Sequence, residues 1–369
     1  MEALNFSHTL NRMLRQDAAI NLGLPTREFL ENAVREGNAA ESVRWLDYYL
    51  LEFEQIQYIF GVWNWHMVRY YLDRQGDAKW PQLIQQSMAP WVGTSAGVVA
   101  APTADVEIGA KTVRLTIPKC QRKFYLTERE NRFYFSLDSP EAQKKKWKGW
   151  RTEVETAINA HKFEIFIKLL DDYVLQARII HDVLCDWAWA LLTVMIRTWG
   201  ESILGEVLRV TEEPWVTVRY EKMRDLSTAE SLQLTIEGMR GHFSGPNRAG
   251  EIMVTEEADR YVLSFNACGT GGRMRRGDPL AATGSRMASP YNFLNVDGAY
   301  DWTWNRKGVC AYCAHCSVVN QILPIEKLGH PMRMTQYPEN PDDPCRWIIY
   351  KDATAFPAEA FSEVGQRPR

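Results

Sequence analysis

Residues 179–198 read IIHDVLCDWAWALLTVMIRT, and this stretch decides the fold. Apolar side chains occupy several faces of a helix drawn through it, so we expect a central, buried helix. Asp186 interrupts the run, which falls short of the roughly 18 apolar residues that are needed to span a bilayer. Gly200 is predicted to end the helix and Glu201 to open the next one.

The segments around this helix predict a mixed architecture. Residues 155–175 carry apolar side chains at the 3.6-residue spacing of a second long helix. Residues 113–117, 132–137 and 260–265 alternate between apolar and polar side chains, and residues 346–350 form a last strand. These patterns predict an α+β fold in which a sheet packs one face on the helices.

The pattern also occurs earlier in the chain, 124 positions upstream. Trp63 and Trp65 match Trp187 and Trp189 without a gap. Further identical pairs are Asp47 and Asp171, Tyr49 and Tyr173, Gly76 and Gly200, and Pro90 and Pro214. After four inserted residues, Arg132 and Ser136 correspond to Arg260 and Ser264. We interpret the chain as a tandem duplication of a helical-pair-plus-β-sheet unit, with shared helical patterning alone as the alternative.

The polar residues 138–148 suggest the boundary between the copies. We therefore predict a degenerate N-terminal copy over residues 1–145 and a C-terminal copy over 146–369 that carries the functional site. Residues 269–308 are rich in Gly, Arg, Asn and Pro and are expected to form long loops, with no helix after the glycines.

Composition excludes some classes of partner. The 369 residues have a formal net charge of -3, so no basic face for nucleic acid is expected. No targeting or membrane segment is apparent, and we expect a cytoplasmic protein with no membrane partner. Its seven cysteines are then expected to be thiols or ligands. Whether the protein forms a homo-oligomer stays open.

Residues that differ between the copies point to a site in the second copy. His181 and Asp182 stand where the first copy has Gln57 and Tyr58. A glycine-rich turn follows the strand at 260–265 and is expected to present backbone N–H groups to an anion, strengthened by nearby arginines. Instead of binding an anion, the turn could serve only as a structural loop. Instead of lining a pocket, His181 and Asp182 could cap local contacts at the end of the helix. The predicted substrate-binding residues are His181, Asp182, Arg240, Cys268 and Arg273.

A thiol cluster near the C-terminus is the strongest chemical signal. Cys310, Cys313 and Cys316 form a C-x2-C-x2-C run, and Cys345 opens the last strand. Zinc would take four thiolates, or three with His330, whereas an iron–sulfur cluster would take three close cysteines and a distant one. A thiolate activated by a histidine needs no metal, and inert core cysteines are a further alternative. We predict Cys310, Cys313, Cys316 and Cys345 as metal ligands, with His242, His315 and His330 as proton carriers.

The C-terminal third resembles a known family. Tyr312-Cys313, then Leu328-Gly329, then residues 342–347 (DDPCRW) resemble the L-2-amino-thiazoline-4-carboxylic acid hydrolase-like family over about forty residues. The chain departs from that pattern in its three clustered cysteines and in Asp-Asp-Pro where Gly-Asp is expected. The resemblance implies an α+β domain that hydrolyses a small nitrogen- or sulfur-containing ring, and it extends to Cys313 and Cys345 only.

These observations favour a metal- or thiol-dependent enzyme, a hydrolase, acting on a small anionic or aromatic molecule. Zinc is the expected cofactor, with an iron–sulfur cluster as the alternative. Two other functions remain open: a small-molecule binding or sensor protein with a structural metal, and an iron–sulfur redox protein.

Overall fold

Two helices of 37 residues each, Ala39–Gln75 and Phe163–Trp199, pack against each other and organise the fold. The structure is a computed structural model that describes residues 3–92, 107–109, 112–117 and 122–368. Its α-helices, in chain order, are α1 Thr26–Arg35, α2 Ala39–Gln75, α3 Trp80–Val92, α4 Pro140–Asn159, α5 Phe163–Trp199, α6 Leu204–Met223, α7 Thr228–Gly241, α8 Gly271–Arg276, α9 His315–Ser317, α10 Leu323–Leu328 and α11 Glu359–Ser362.

The central helix is longer than predicted. The expected separate helices at 155–175 and 179–198 are wrong in their bounds, because α5 runs unbroken through both and residues 155–159 end α4. No helix-breaking residue lies between 175 and 179, whereas His161 takes a left-handed φ of 52° and separates α4 from α5. Gly200 ends α5 as predicted, with φ 85° and its N–H bonded to the carbonyl of Ile196.

The apolar helix α5 is buried as expected. Among the described helices it alone is long and apolar enough to cross a membrane, but 83% of its most apolar window is buried inside the protein. One core cluster contains Trp63 and Met67 of α2 together with Trp187 and Trp189 of α5. Residues from both predicted copies therefore share one core.

Strands form small antiparallel sheets, which confirms the α+β class. The strands are β1 Ala3–Ser7, β2 Arg12–Gln16, β3 Glu107–Gly109, β4 Thr112–Ile117, β5 Arg122–Arg129, β6 Arg132–Ser136, β7 Met253–Glu256, β8 Arg260–Phe265, β9 Asn295–Val296, β10 Val309–Cys310, β11 Met334–Gln336 and β12 Cys345–Tyr350. One four-stranded sheet has the order β3-β4-β5-β6 and the other β11-β12-β8-β7. The next strand therefore pairs with a different member of each hairpin. In the hairpin β5–β6 the first strand, β5, pairs with β4, whereas in the hairpin β7–β8 the second strand, β8, pairs with β12.

The predicted boundary between the copies and the predicted loop segment are both partly helical. The polar stretch 138–148 enters α4, whose N-terminus is capped by Ser139 through the N–H of Ala142 at 3.3 Å. The glycine-rich turn leads directly into α8, so the expectation that no helix follows it is wrong. This helix stays short because Gly277, with φ 91°, ends it after six residues.

Candidate functional site

A cavity opens between the long helix α2, helices α6 and α7, and the sheet that contains β8 and β12. It has about 1200 Å³ of empty space including its mouth toward solvent. Aromatic side chains form much of its wall, namely Phe60, Trp63, Trp215, Tyr220, Phe265, Trp304, Tyr312, Tyr337 and Trp347. Four thiols also line it: Cys268, Cys313, Cys316 and Cys345. We call this space the thiol cavity.

The four thiols come from three separate segments. Cys268 follows β8. Cys313 lies on the turn before α9, and Cys316 lies at the start of that helix. Cys345 opens β12 opposite Phe265. Burial raises the pKa of Cys316, and the nearby Cys345, Cys313 and Cys268 raise it further. Burial likewise raises the pKa of Cys345, with Cys268 and Cys313 adding to it. These thiols are therefore close enough to affect each other's ionisation.

Two glycines of the turn after β8 allow close contacts with Cys313 and with the backbone of His242. A Cβ at Gly271 would lie 2.4 Å from Cys313 Sγ, and one at Gly269 would lie 1.6 Å from the carbonyl oxygen of His242. The N–H of Gly272 donates to Cys268 Sγ at 3.0 Å. The glycine-rich turn predicted to bind an anion thus packs directly against two of the thiols.

Cys310, a predicted metal ligand, lies outside the cavity wall. It is fully buried, its N–H donates to the Tyr337 hydroxyl at 3.1 Å, and its Sγ accepts from the N–H of Cys313 at 3.3 Å. Of the predicted quartet, the cavity brings together Cys313, Cys316 and Cys345. Cys268, predicted as a substrate-binding residue, completes the set of thiols.

His315 connects the cavity to a buried carboxyl group. Its Nε2 lies 3.5 Å from Cys316 Sγ, and its Nδ1 lies 3.6 Å from Glu212 Oε1. Neither His315 Nδ1 nor either oxygen of Glu212 has a hydrogen-bond partner within the described part of the chain. Burial raises the pKa of Glu212 well above its usual range. Burial, and then Arg333, lower the pKa of His315 to about 3, so its imidazole is neutral near pH 7.

A second histidine cluster lies where α5 meets the end of α7. His181 Nε2 is 3.1 Å from His242 Nδ1 and 3.4 Å from Cys185 Sγ, while His181 Nδ1 is 2.9 Å from Asp182 Oδ1. Burial lowers the pKa of His181 and of His242 and raises that of Cys185. His242 also lines the thiol cavity, so the two groups share a wall.

A buried ionic network holds Asp182 in place. Arg248 pairs with both Asp182 and Asp278, and Arg273 bonds to Asp186 at 2.5 Å and approaches Asp182 at 3.5 Å. Burial opposes the charge on Asp182, but Arg273 and Arg248 hold the pKa of this carboxyl below its usual range. Both arginines thereby orient the carboxylate that contacts His181.

The predicted anion-binding arginines are already engaged. Arg273 belongs to the ionic network, and Arg275 donates to the carbonyls of Pro338 and Glu339 at 2.9 and 2.8 Å. Arg276 donates to the carbonyls of residues 341–343. These arginines hold the α8 turn against the loop before β12, although Arg275 also lines the cavity.

Two other arginines face the cavity without a carboxylate partner among the described residues. Arg219 is half-buried, and burial lowers its pKa. Arg333 is also half-buried, and burial and Arg219 contribute to lowering its pKa to about 10. Arg333 donates to Asn320 Oδ1 and Thr235 Oγ1 and lies over the Trp347 ring.

No protein-family model, curated protein or solved structure matches this chain.

Besides Cys310, His181, Asp182 and Arg273, two further predicted residues lie away from the cavity wall. Arg240 is fully buried, donates to Glu52 at 2.7 Å and to the carbonyl of Leu22 at 2.7 Å, and is committed to packing between α7 and α2. His330 is half-buried, has Nδ1 2.9 Å from the carbonyl oxygen of Pro331 and stacks on Phe356.

Sequence reasoning missed Glu212, Arg219 and Arg333. A signal for Glu212 was present, because Leu208, Glu212 and Val216 are spaced four apart on one helix face and all three are buried. A carboxyl group on an apolar helix face needs a partner or a raised pKa. No comparable pattern marks Arg333, whose position depends on how the loop before β11 packs.

Proposed function

We propose that this protein is an enzyme of the hydrolase class that acts on a small anionic molecule of apolar or aromatic character in the thiol cavity. One observation carries the proposal: thiols from three separate segments, two histidines and two arginines without carboxylate partners all line the same cavity. Buried apolar walls with a few converging polar groups are typical of small-molecule sites.

The preference for an anion rests on Arg219 and Arg333. A guanidinium group removed from water without an ion pair is unfavourable, and the lowered pKa of each side chain reflects that loss of hydration, which Glu237 only partly offsets at Arg219. A carboxylate or similar anion would supply the missing charge and accept hydrogen bonds from the planar guanidinium groups. The aromatic walls would then contact the apolar part of the same molecule.

For a metal centre, the ligand set we propose is Cys268, Cys313, Cys316 and Cys345. A single zinc ion with Zn–S bonds of about 2.3 Å places its sulfur ligands roughly 3.8 Å apart. Among the described residues, one group of three potential ligand atoms lies within 4.8 Å of one another, and it belongs to His181, Cys185 and His242. No three of the cavity thiols therefore lie within 4.8 Å of one another, which favours a polynuclear iron–sulfur cluster that would supply an electron carrier or an exposed Lewis-acidic iron.

His315 and Glu212 are the proposed proton carriers in either case. Nε2 of His315 faces the cavity thiol Cys316, while Nδ1 faces the Glu212 carboxyl. The imidazole can accept a proton at Nε2 while the carboxyl group stabilises the N–H at Nδ1. His242 lines the same cavity and is a further candidate.

A second candidate function is metal-free thiol hydrolysis with Cys316 as the nucleophile. Cys316 Sγ lies 3.5 Å from His315 Nε2, and His315 Nδ1 lies 3.6 Å from Glu212 Oε1. This is the order of a thiol, its base and a carboxyl group that orients the base. In this case the other thiols shape the pocket.

Metal analysis separates the two candidates. Protein purified without oxygen is assayed for iron, zinc and acid-labile sulfide, beside Cys268→Ser and Cys310→Ser variants as a matched pair. The metal-centre candidate predicts stoichiometric metal in the wild type and in Cys310→Ser, and its loss in Cys268→Ser. The thiol candidate predicts a metal content that Cys268→Ser leaves unchanged, hydrolysis of 4-nitrophenyl acetate by the wild type, and loss of that hydrolysis in Cys316→Ser. A metal-free wild type whose esterase rate survives Cys316→Ser refutes both.

We also propose the tandem duplication. The helices Ala39–Gln75 and Phe163–Trp199 have equal length and begin 124 positions apart, which supports it. Arg27 pairs with Asp171, and Arg151 pairs with Asp47, each at 2.6 Å. Arg151 lies 124 positions after Arg27, and Asp171 lies 124 positions after Asp47. The two ion pairs are therefore equivalent under the proposed duplication. The different strand orders would then reflect divergence after duplication.

The resemblance to the L-2-amino-thiazoline-4-carboxylic acid hydrolase-like family remains a proposal of the same kind. Cys313 and Cys345, the two residues to which it extends, both line the thiol cavity, which is consistent with it. The division at residues 145 and 146 and the cytoplasmic location stay predictions.

A further inference from the structure

Behind the wall of the thiol cavity, three ligand atoms converge at a point outside the four cavity thiols, and only His242 is shared with the proposed hydrolase. They are His181 Nε2, His242 Nδ1 and Cys185 Sγ, and all lie within 4.8 Å of one another. His181 and Cys185 are one turn apart on α5, while His242 follows the last residue of α7. Two rigid helices therefore fix the positions of all three.

The separations match those of a small tetrahedral metal site. With Zn–N bonds of about 2.0–2.1 Å and a Zn–S bond of about 2.3 Å, tetrahedral geometry gives roughly 3.3 Å between nitrogens and 3.6 Å between nitrogen and sulfur. The observed values are 3.1 Å for His181 Nε2 to His242 Nδ1 and 3.4 Å for His181 Nε2 to Cys185 Sγ. These two separations are thus close to those that one ion requires, and the third, from His242 Nδ1 to Cys185 Sγ, is within 4.8 Å.

The orientation of His181 is also that of a metal ligand. A carboxylate only accepts hydrogen bonds, so the 2.9 Å contact places the proton on Nδ1 and leaves the lone pair of Nε2 toward His242 and Cys185. Asp182 is itself held by Arg248 and Arg273. A carboxylate behind a ligating histidine, fixed by further partners, is a recurring arrangement around zinc.

We propose that His181, Cys185 and His242 bind a single divalent transition-metal ion of the zinc class, distinct from any centre at the cavity thiols. Two nitrogens and one sulfur leave the fourth tetrahedral position for water, as in catalytic zinc sites. On binding, Cys185 loses its thiol proton to solvent, and the proton on His242 moves from Nδ1 to Nε2, so that one proton is released per ion. Because His242 lines the thiol cavity, the ion would lie beside a bound substrate.

Cobalt(II) titration tests this inference independently of the proposed function. The background is a Cys313→Ser, Cys316→Ser, Cys345→Ser protein, in which three of the four cavity thiols are removed. This protein is expected to bind one cobalt ion with a sulfur-to-cobalt charge-transfer band in the near ultraviolet, and zinc is expected to displace it. Adding Cys185→Ser should abolish the band, and adding His242→Gln should weaken binding at least tenfold.

The outcomes separate the two sites. A band that survives Cys185→Ser, or no cobalt binding by the folded background protein, overturns the second site and leaves the thiol-cavity proposal standing. His242 is half-buried, so the His242→Gln variant is expected to fold even if Cys185→Ser does not. In wild-type protein, one zinc retained beside the iron of a cluster would support both sites.

Discussion

The indole N–H of Trp63 donates a hydrogen bond to Thr211 Oγ1 across 3.1 Å in the core. Its counterpart 124 positions later, Trp187, donates to Ser87 Oγ at 2.9 Å, and Ser87 lies 124 positions before Thr211. Each tryptophan thus bonds to the helix that follows the other tryptophan. Such an exchange is expected where two equivalent units pack around a pseudo-two-fold axis, and it supports the proposed duplication.

Thr211→Val and Ser87→Ala should each destabilise the fold. Either change leaves a buried indole N–H without a partner, which costs about 1–3 kcal/mol. Urea unfolding measures the free-energy difference. Thr156→Val on the exposed face of α4 is the matched control and should stay within about 0.5 kcal/mol of wild type. Equal effects of Thr211→Val and Thr156→Val would show that the core bond contributes nothing.

Glu212→Gln should remove a pH-dependent loss of stability. Burial raises the folded-state pKa of Glu212 above its ordinary value of 4.5, so the folded protein holds a proton that the unfolded chain has released. Stability from this group is therefore present below about pH 4.5 and is lost as the pH rises toward the folded pKa. Unfolding curves for the wild type and Glu212→Gln should nearly coincide at pH 4 and diverge at pH 7, with the variant more stable.

The same variant separates stability from activity. Glutamine cannot exchange a proton with His315, so hydrolysis should fall while the melting temperature at pH 7 rises. A variant as active as wild type would remove Glu212 from the proposed proton path.

Glu52→Gln should be strongly destabilising because it leaves Arg240 buried without its counter-charge. Breaking one partner of a buried pair costs about 3–5 kcal/mol. The double variant Glu52→Leu, Arg240→Met should recover most of that loss. Asp73→Asn, which breaks the exposed pair with Arg69, is the control and should change stability by less than about 1 kcal/mol.

This comparison also decides the role of Arg240. If the double variant is stable and retains activity and metal, Arg240 serves packing. Loss of substrate turnover in a stable double variant would return it to the binding site.

Gly271→Ala should disturb the thiol cavity. The added Cβ would lie 2.4 Å from Cys313 Sγ, so either the thiol or the α8 turn must move. Metal content and the rate of Cys313 alkylation report the movement, and both should change. Gly149→Ala, where the added Cβ meets nothing within 4 Å in the middle of α4, is the control and should stabilise the protein by about 1 kcal/mol. Unchanged metal and alkylation in Gly271→Ala would mean that the turn yields without affecting the sulfur.

Local patterns in the sequence determined the elements of the fold. Apolar spacing was enough to identify the buried helix that contains Trp187 and Trp189, and the glycine at 200 was enough to place its end, because both signals act within a few residues. The break between α4 and α5 was missed, since it depends on a left-handed His161 that no composition rule predicts.

Only the tertiary structure decided the membership of the site. Cys310 and Cys313 are neighbours in sequence, yet Cys310 is fully buried behind the wall while Cys268, far away in sequence, lines the cavity. Glu212 meets His315 because α6 packs beside α9, and His242 meets His181 because α7 ends against α5. Such contacts join residues tens of positions apart, and the packing of whole helices sets them, so no local pattern contains them.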